Sequence, residues 1–168
     1  MAGLARRRGR GGRAKNLVGF RVADVAYAVD IKRVREIIRP LAIVPIPHAP
    51  PAVLGVADHR GEVVPILDVR TRFGLPRMDM GRRTKWIVVE AGERLVGLVV
   101  DQVTAVFGTD ESEARGVPEI GVGDADRGIG AVYSYGGELV FVLDIERLAA
   151  VTESLDLSVV EQMVGRTP

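Results

Sequence analysis

Two aspartates draw attention because they stand in the same sequence context. Asp68 ends the run GEVVPILD, and Asp144 ends the run GELVFVLD 76 residues later. A pair of carboxylates supports acid–base hydrolysis when the two groups face each other within about 5–10 Å. An aspartate between an apolar strand and a short helix is more often the N-cap of that helix, because its carboxylate accepts a backbone N–H bond. We predict that both aspartates are N-caps, with acid–base hydrolysis as the weaker alternative.

Other residue types that carry chemistry are sparse. The chain has no cysteine, which excludes thiol nucleophiles, thiolate zinc sites, iron–sulfur clusters and disulfides. His48 and His59 are the two histidines, and their separation of 11 residues fits no helical or hairpin pair of metal ligands. We interpret both as solvated or turn histidines. The glycines between 121 and 130 lie in an acidic stretch that would repel phosphate. These features predict no catalytic residue, metal site, cofactor or small-molecule substrate.

Charge is distributed unevenly along the chain. The formal net charge is +1 over 168 residues, yet residues 1–15 contain six Lys or Arg and no acid. The other 153 residues contain 17 basic and 22 acidic side chains, so the body carries −5. We predict a disordered basic tail over 1–15. The alternative is a small barrel that binds nucleic acid through this arm by counterion release, although an acidic body with eight aromatic residues is poorly suited to base stacking.

Composition and hydropathy indicate an ordinary globular protein. Hydrophobic residues make up 47% of the chain and charged residues 27%, close to the usual balance. The apolar stretch 42–57 is too short and too interrupted by proline to cross a bilayer. The tail arginines are not followed by the apolar stretch of a secretory signal. We therefore expect a cytoplasmic protein.

The apolar alternation predicts a mostly β chain built from hairpins. The predicted hairpins pair 17–22 with 25–30, 56–59 with 62–67, 85–90 with 94–101, and 128–133 with 138–143. Residues 31–38 fit either a helical turn or a bent strand, and the proline-rich 43–51 fits an edge or a connection. Residues 109–127 are predicted to be a loop. Ser158 and Glu161 fit a capping box, so 152–168 are predicted to form a short helix or tail.

The two halves of the chain resemble each other. Besides the shared Gly-Glu run, the first hairpin ends in Val29-Asp30 and its counterpart ends in Val100-Asp101. This repetition predicts a duplicated β unit that closes into two small barrels, with a single sandwich as the alternative. We place one subdomain at about 16–76 and the other at about 83–151.

Four stretches, in order, resemble the CheW-like domain family. They are VAYAVDIKRVREI (25–37), IPHAPPAVLGVADHRGEVVPILDVRTRFG (46–74), LVGLVVDQVTAV (95–106) and LVFVLDIERLA (139–149). The resemblance extends over about 17–151. It implies two five-stranded SH3-like barrels and no catalysis. It also implies a non-catalytic adaptor of bacterial chemosensory signalling, with two partners: the regulatory domain of a CheA-type histidine kinase, and the cytoplasmic tip of a chemoreceptor. Membrane contact would be indirect, through the receptor.

The resemblance also implies particular partner-binding residues. Arg60 and Glu36 are the expected polar contacts, and Gly55 and Gly61 are expected to shape the backbone around the turn. The expected lining of the groove between the barrels consists of Val34, Val100 and Val103.

The turn departs from the family pattern. Asp58 and His59 stand where the family usually has Asn-Leu before Arg-Gly. Asp58 is therefore expected either to pair with Arg60 or to present a charge to a particular receptor. The sequence leaves the receptor and the pathway open.

Overall fold

A computed structural model describes residues 14–110, 114, 128–155 and 157. Nearly all of the basic tail and the whole predicted capping box at Ser158 and Glu161 lie outside these residues. Within the described part of the chain, no helix is both long enough and apolar enough to cross a membrane.

The described residues form ten strands and a few short helices. The first five strands are β1 (Ala14–Val22), β2 (Val25–Asp30), β3 (Val34–Ile38), β4 (Val53–His59) and β5 (Glu62–Asp68). The next five are β6 (Lys85–Ala91), β7 (Arg94–Val100), β8 (Gln102–Asp110), β9 (Ile129–Tyr135) and β10 (Glu138–Leu143). The helices are α1 (Val69–Arg72) and α2 (Ile145–Ala149), with 3-10 helices at Ile31–Arg33 and Ala150–Thr152. All four predicted hairpins are confirmed.

The strands form two five-stranded sheets. Sheet 1 has the order β8-β1-β2-β10-β9, and sheet 2 has the order β3-β6-β7-β5-β4. Each sheet contains one parallel pair, β2 with β10 and β5 with β7, among otherwise antiparallel neighbours. The two sheets therefore have the same arrangement, as a duplicated unit predicts.

The sheets do not coincide with the consecutive subdomains expected at about 16–76 and 83–151. The first half of the chain contributes β1 and β2 to sheet 1 but β3, β4 and β5 to sheet 2. The second half reverses this, with β6 and β7 in sheet 2 and the last three strands in sheet 1. Local periodicity predicts which strands form hairpins. Local periodicity carries no information about which hairpins pair with each other. The exchange of strands between the two halves of the chain was therefore not predictable from it.

The repeat has a matching backbone geometry. The N–H of Asp68 donates to the carbonyl of Ala52 at 2.8 Å, and the N–H of Asp144 donates to the carbonyl of Gly128 at 2.7 Å. Both pairs are separated by the same offset of 76 seen in the sequence. Each aspartate then caps a helix through its carboxylate, as predicted. Because one cap belongs to sheet 2 and the other to sheet 1, the two carboxylates serve separate helices.

Both faces of each sheet are buried, which separates the barrel prediction from the sandwich alternative. One core lies between the sheets and includes Phe20 from sheet 1 and Leu98 from sheet 2. A second core belongs to sheet 1 alone and includes Phe107 and Tyr133 from its two edge strands. A third core belongs to sheet 2 alone and surrounds Trp86. A two-layer sandwich buries one face of each sheet, whereas each sheet here also curls around a core of its own.

Two segments differ from the simplest prediction. Residues 31–38 form both alternatives, a 3-10 turn at Ile31–Arg33 followed by β3. Strand β8 was not predicted, because Phe107 is its one buried residue and the apolar alternation is weak. Most residues of β8 are exposed or only partly buried, but the segment forms a strand because its backbone pairs with β1.

Candidate functional site

A tight turn at the end of β4 forms the centre of the candidate site. His59 pairs with Glu62 across the hairpin, which leaves Arg60 and Gly61 as the two turn residues. Their φ angles are +54° and +81°, as a type I′ turn requires. Asp58 closes the turn, because its carboxylate accepts a hydrogen bond of 2.9 Å from the N–H of Gly61. Asp58 therefore does not pair with Arg60, which was one of its two expected roles. Its carboxylate bonds to the backbone of the turn instead.

The carboxylate of Glu36, on β3, contacts the side chains of both Arg60 and His59. Its Oε1 accepts a hydrogen bond of 2.8 Å from the guanidinium of Arg60, and its Oε2 lies 3.0 Å from Nε2 of His59. The side chain of Arg60 is 75% exposed and that of Glu36 33%, whereas that of His59 is 11% exposed. We call these three residues the Glu36 triad. It presents the exposed guanidinium of Arg60 on a partly buried support.

The triad also bridges the two edges of sheet 2. Strands β3 and β4 are at opposite ends of the sheet order, so no ladder of backbone hydrogen bonds joins them. Glu36 lies on β3 and His59 ends β4. In sheet 1 the corresponding edges are joined by aromatic stacking, with the rings of Phe107 and Tyr135 4.1 Å apart. The polar closure of sheet 2 is therefore also the site that displays Arg60.

The charges of the triad keep Glu36 ionised. The hydrogen bond from Arg60 is the main cause that lowers the pKa of Glu36 from its ordinary value of 4.5, and the charge of Arg60 and the contact with His59 lower it further, while desolvation opposes them. An ionised carboxylate accepts hydrogen bonds and donates none. The Nε2 atom of His59 must therefore carry a hydrogen and donate it to Glu36.

Gly55, on β4, allows another segment of the chain to pack closely against the strand that leads to the turn. It has φ +146°, a conformation that favours glycine. A Cβ atom at this position would overlap the carbonyl oxygen of Val44 and lie 2.8 Å from Cγ2 of Ile43. The segment that carries these two residues crosses over β4 and pairs through Val44 with Val56. Gly55 therefore shapes the backbone by allowing this crossing, while Gly61 contributes its positive φ.

A second polar cluster joins the two sheets. The carboxylate of Asp101, just after β7, accepts a hydrogen bond of 2.7 Å from the N–H of Ala23 in the β1–β2 turn. The same carboxylate pairs with the guanidinium of Arg70 on α1, with Nε to Oδ1 at 3.1 Å. This hydrogen bond is the main cause that raises the pKa of Arg70 above its ordinary value. Residues of sheet 1 and sheet 2 thus share one carboxylate.

The described residues offer no specific ligand site. Among the described residues, no three His, Asp or Glu side chains lie close enough together to hold a metal ion. A cleft of about 420 Å³ borders Arg70 and Asp101, but these two charges are already bonded to each other.

Comparison with known proteins identifies the family. Residues 16–153 match the CheW-like domain family. The chain belongs to this family. A chemotaxis protein CheW from Rhizobium meliloti is 33% identical over 147 residues, which cover 87% of this chain and 93% of that protein. Another from Klebsiella aerogenes is 31% identical over 80% of this chain and 81% of its own length. The crystal structure of the scaffolding protein TtCheW from Thermoanaerobacter tengcongensis has a TM-score of 0.75 and 26% identity, covering 81% of this chain and 92% of that one.

Membership in the CheW-like family confirms the resemblance carried by the four sequence motifs. It also confirms the mostly β fold with two five-stranded units, because the TtCheW structure matches most of the chain.

Val100, which was predicted to line the groove between the barrels, is buried. Val100 is 0% exposed and lies in the core between the sheets, so it cannot line an open groove. Val34 and Val103 are partly buried at the margin of the same core. Strand β7 is apolar on both faces, because one face packs between the sheets and the other inside sheet 2. Its alternation therefore does not indicate which valines are accessible.

The sequence interpretation also missed the role of His59. A solvated or turn histidine was expected, and the residue is indeed at the turn, but it is buried and bonded to Glu36. The two residues are 23 positions apart in the chain. Their contact depends on the curling of sheet 2, which no local sequence signal reports.

Proposed function

We propose that this protein is a non-catalytic, cytoplasmic adaptor that couples chemoreceptors to a CheA-type histidine kinase. The observation that carries the proposal is the exposed guanidinium of Arg60, held by Glu36 at the apex of a turn in a chain of the CheW-like family. Both residues are polar contacts that the family motifs imply. We propose that they form the polar part of a partner contact.

The backbone conformation of Arg60 supports a functional role. A residue with a side chain in the left-handed region costs roughly 1–2 kcal/mol relative to its right-handed conformation, and glycine, asparagine or aspartate are the usual choices in a type I′ turn. Arg60 occupies such a position with φ +54°. Its side chain is mostly exposed, so core packing gives no reason for an arginine here. Presentation of a fixed cation to another protein does give one, because a planar guanidinium binds carboxylates in a defined geometry.

The proposed mechanism is geometric. The kinase regulatory domain would bind at exposed edges of the barrels, and the receptor tip would bind in the groove between them, near Val34 and Val103. The Asp101 cluster would keep the two surfaces in a constant relation, because it bonds to both sheets. The receptor state then biases kinase activity through differential affinity, and many weak contacts in an assembly supply the effective strength.

The proposal requires no reactive centre. It involves no cofactor, no metal and no small-molecule substrate, and membrane contact occurs only through the receptors. Gly55, Gly61 and Asp58 would act by shaping and closing the turn that displays Arg60. Val100 is withdrawn from the proposed contact surface, because it is buried.

The test compares two arginines in exposed ion pairs. Arg60→Ala removes the proposed contact, and Arg21→Ala removes a comparable pair with Glu138 in sheet 1. Each full-length variant is mixed with the purified kinase and a receptor cytoplasmic fragment from the same genome, and kinase autophosphorylation is measured with and without the receptor fragment. We expect Arg60→Ala to weaken receptor-dependent control about tenfold, as loss of an interface anchor does, and Arg21→Ala to change it less than about twofold. Equal behaviour of the two variants would overturn the assignment of Arg60.

A further inference from the structure

The side chain of His59 is nearly buried and contacts Glu36. It is 11% exposed, and its Nε2 atom is 3.0 Å from Oε2 of Glu36. A buried ring nitrogen without a partner is costly, so this contact determines where the Glu36 carboxylate must lie. Among the three side chains of the triad, that of His59 is the least exposed.

Glu36 connects the buried side chain of His59 to the exposed side chain of Arg60. It lies on an edge strand, where a glutamate side chain would otherwise sample several rotamers in solvent. Its two carboxylate oxygens have different donors, His59 on Oε2 and Arg60 on Oε1. Because the carboxylate is planar and rigid, fixing one oxygen restricts where the other can lie. The orientation of the Arg60 guanidinium therefore depends on the hydrogen bond between His59 and Glu36.

We propose that His59 is a positioning residue for Arg60, acting through the carboxylate of Glu36. The imidazole holds the carboxylate in one rotamer, so the guanidinium is presented to a partner in one orientation instead of as a loose surface charge. This inference deepens the proposed function, since its value to the protein depends on Arg60 contacting a partner. The geometric part does not depend on any partner and is tested separately.

Two substitutions separate positioning from simple filling of space. His59→Leu introduces an apolar side chain of similar size and removes the donor. His59→Gln retains an amide N–H that reaches the position of imidazole Nε2. If His59 serves only to pack the edge of sheet 2, leucine replaces it as well as glutamine does. If His59 positions Glu36, glutamine rescues and leucine does not.

The first experiment needs no partner. Full-length protein labelled with ¹⁵N is used to measure the fast motion of the Arg60 Nε–Hε bond by NMR relaxation. We expect the order parameter of this bond to fall in His59→Leu, to fall further in Glu36→Gln, and to stay near the wild-type value in His59→Gln. An unchanged order parameter in a folded His59→Leu protein would overturn the inference, whatever the protein binds.

The second experiment measures coupling between His59 and Arg60 in partner binding. The affinity for the purified kinase regulatory domain and for the receptor fragment is measured for wild type, His59→Leu, Arg60→Ala and the double variant. We expect His59→Leu to weaken binding about two- to fivefold, the range that an oriented exposed ion pair supports. We also expect Arg60→Ala to cost less in the His59→Leu background than in wild type.

The outcomes distinguish the inference from the function on which it rests. Additive effects of the two substitutions would overturn the positioning role while leaving the Arg60 contact in place. If Arg60→Ala does not weaken binding at all, the proposed function fails at this residue, and the NMR measurement alone decides whether His59 orders the guanidinium.

Discussion

The carboxylate of Asp101 accepts a hydrogen bond of 2.7 Å from the N–H of Ala23 and so joins the end of β7 in sheet 2 to the β1–β2 turn in sheet 1. The side chain of Arg70, 10% exposed, binds the same carboxylate from α1. A single side chain therefore neutralises a buried cation and connects the two sheets.

Asp101→Ala is expected to destabilise the protein by about 2–4 kcal/mol. Removing one partner of a buried ion pair costs roughly 3–5 kcal/mol, and the estimate is reduced because the Asp101 side chain is 34% exposed. The free energy of unfolding is measured in urea. Glu90→Ala removes the exposed pair with Arg35 and should cost less than about 1 kcal/mol. Similar costs for both variants would contradict the role given to Asp101.

The triad should contribute a pH dependence of a definite sign. The folded state lowers the pKa of Glu36 below 4.5, so its contribution to stability is present above that pH and is lost as the pH falls through the lowered value. Glu36→Gln should therefore remove part of the decline in stability below about pH 4.5. Unfolding midpoints from pH 3 to 7 are compared for wild type and variant. Parallel curves over that range would count against the pairing of Glu36 with Arg60.

Gly55→Ala and Gly61→Ala form a matched pair that separates strain from steric overlap. Both residues have positive φ, but a Cβ at 55 meets the carbonyl of Val44, whereas a Cβ at 61 meets nothing within 4 Å. We expect a loss of about 1–2 kcal/mol for Gly61→Ala from the backbone alone, and a clearly larger loss for Gly55→Ala. Thermal unfolding of the two proteins provides the measurement, and a smaller loss at 55 would refute the explanation given for Gly55.

The caps should behave as structural residues. Asp68→Ala and Asp144→Ala are each expected to cost about 0.5–2 kcal/mol. Asp68 also accepts a hydrogen bond from the Thr71 hydroxyl at 2.9 Å, so its loss should be the larger of the two. Urea unfolding of the single variants and of the double variant tests this, and additive losses are expected because the caps belong to different sheets. Strong coupling between the two positions would revive the idea of a shared carboxylate site.

Deleting residues 1–13 tests the nucleic-acid alternative. The adaptor proposal expects the truncated protein to control the kinase as the full chain does. Binding to a labelled DNA duplex is measured by fluorescence anisotropy at 50 and 200 mM salt for both proteins. Salt-sensitive binding that disappears with the arm would favour the alternative, because phosphate contacts release counterions.

Local signals in the sequence were sufficient for most of the secondary structure and for part of the site. Alternating apolar residues indicated the four hairpins, and the position of Asp68 and Asp144 after apolar strands indicated their capping role. The Arg60-Gly61 pair indicated a turn. These predictions succeeded because each depends on residues close together in the chain, where backbone geometry and a few hydrogen bonds determine the outcome.

Contacts between distant residues were decided by the tertiary structure. The exchange of strands between the sheets, the burial of Val100 and the bond from His59 to Glu36 all depend on which hairpins become neighbours and how sheet 2 curls. The sequence determined most of the strands, the caps and the turn that carries Arg60. Only the fold determined that His59 bonds the same carboxylate as Arg60, because Glu36 lies on a strand at the opposite edge of the sheet.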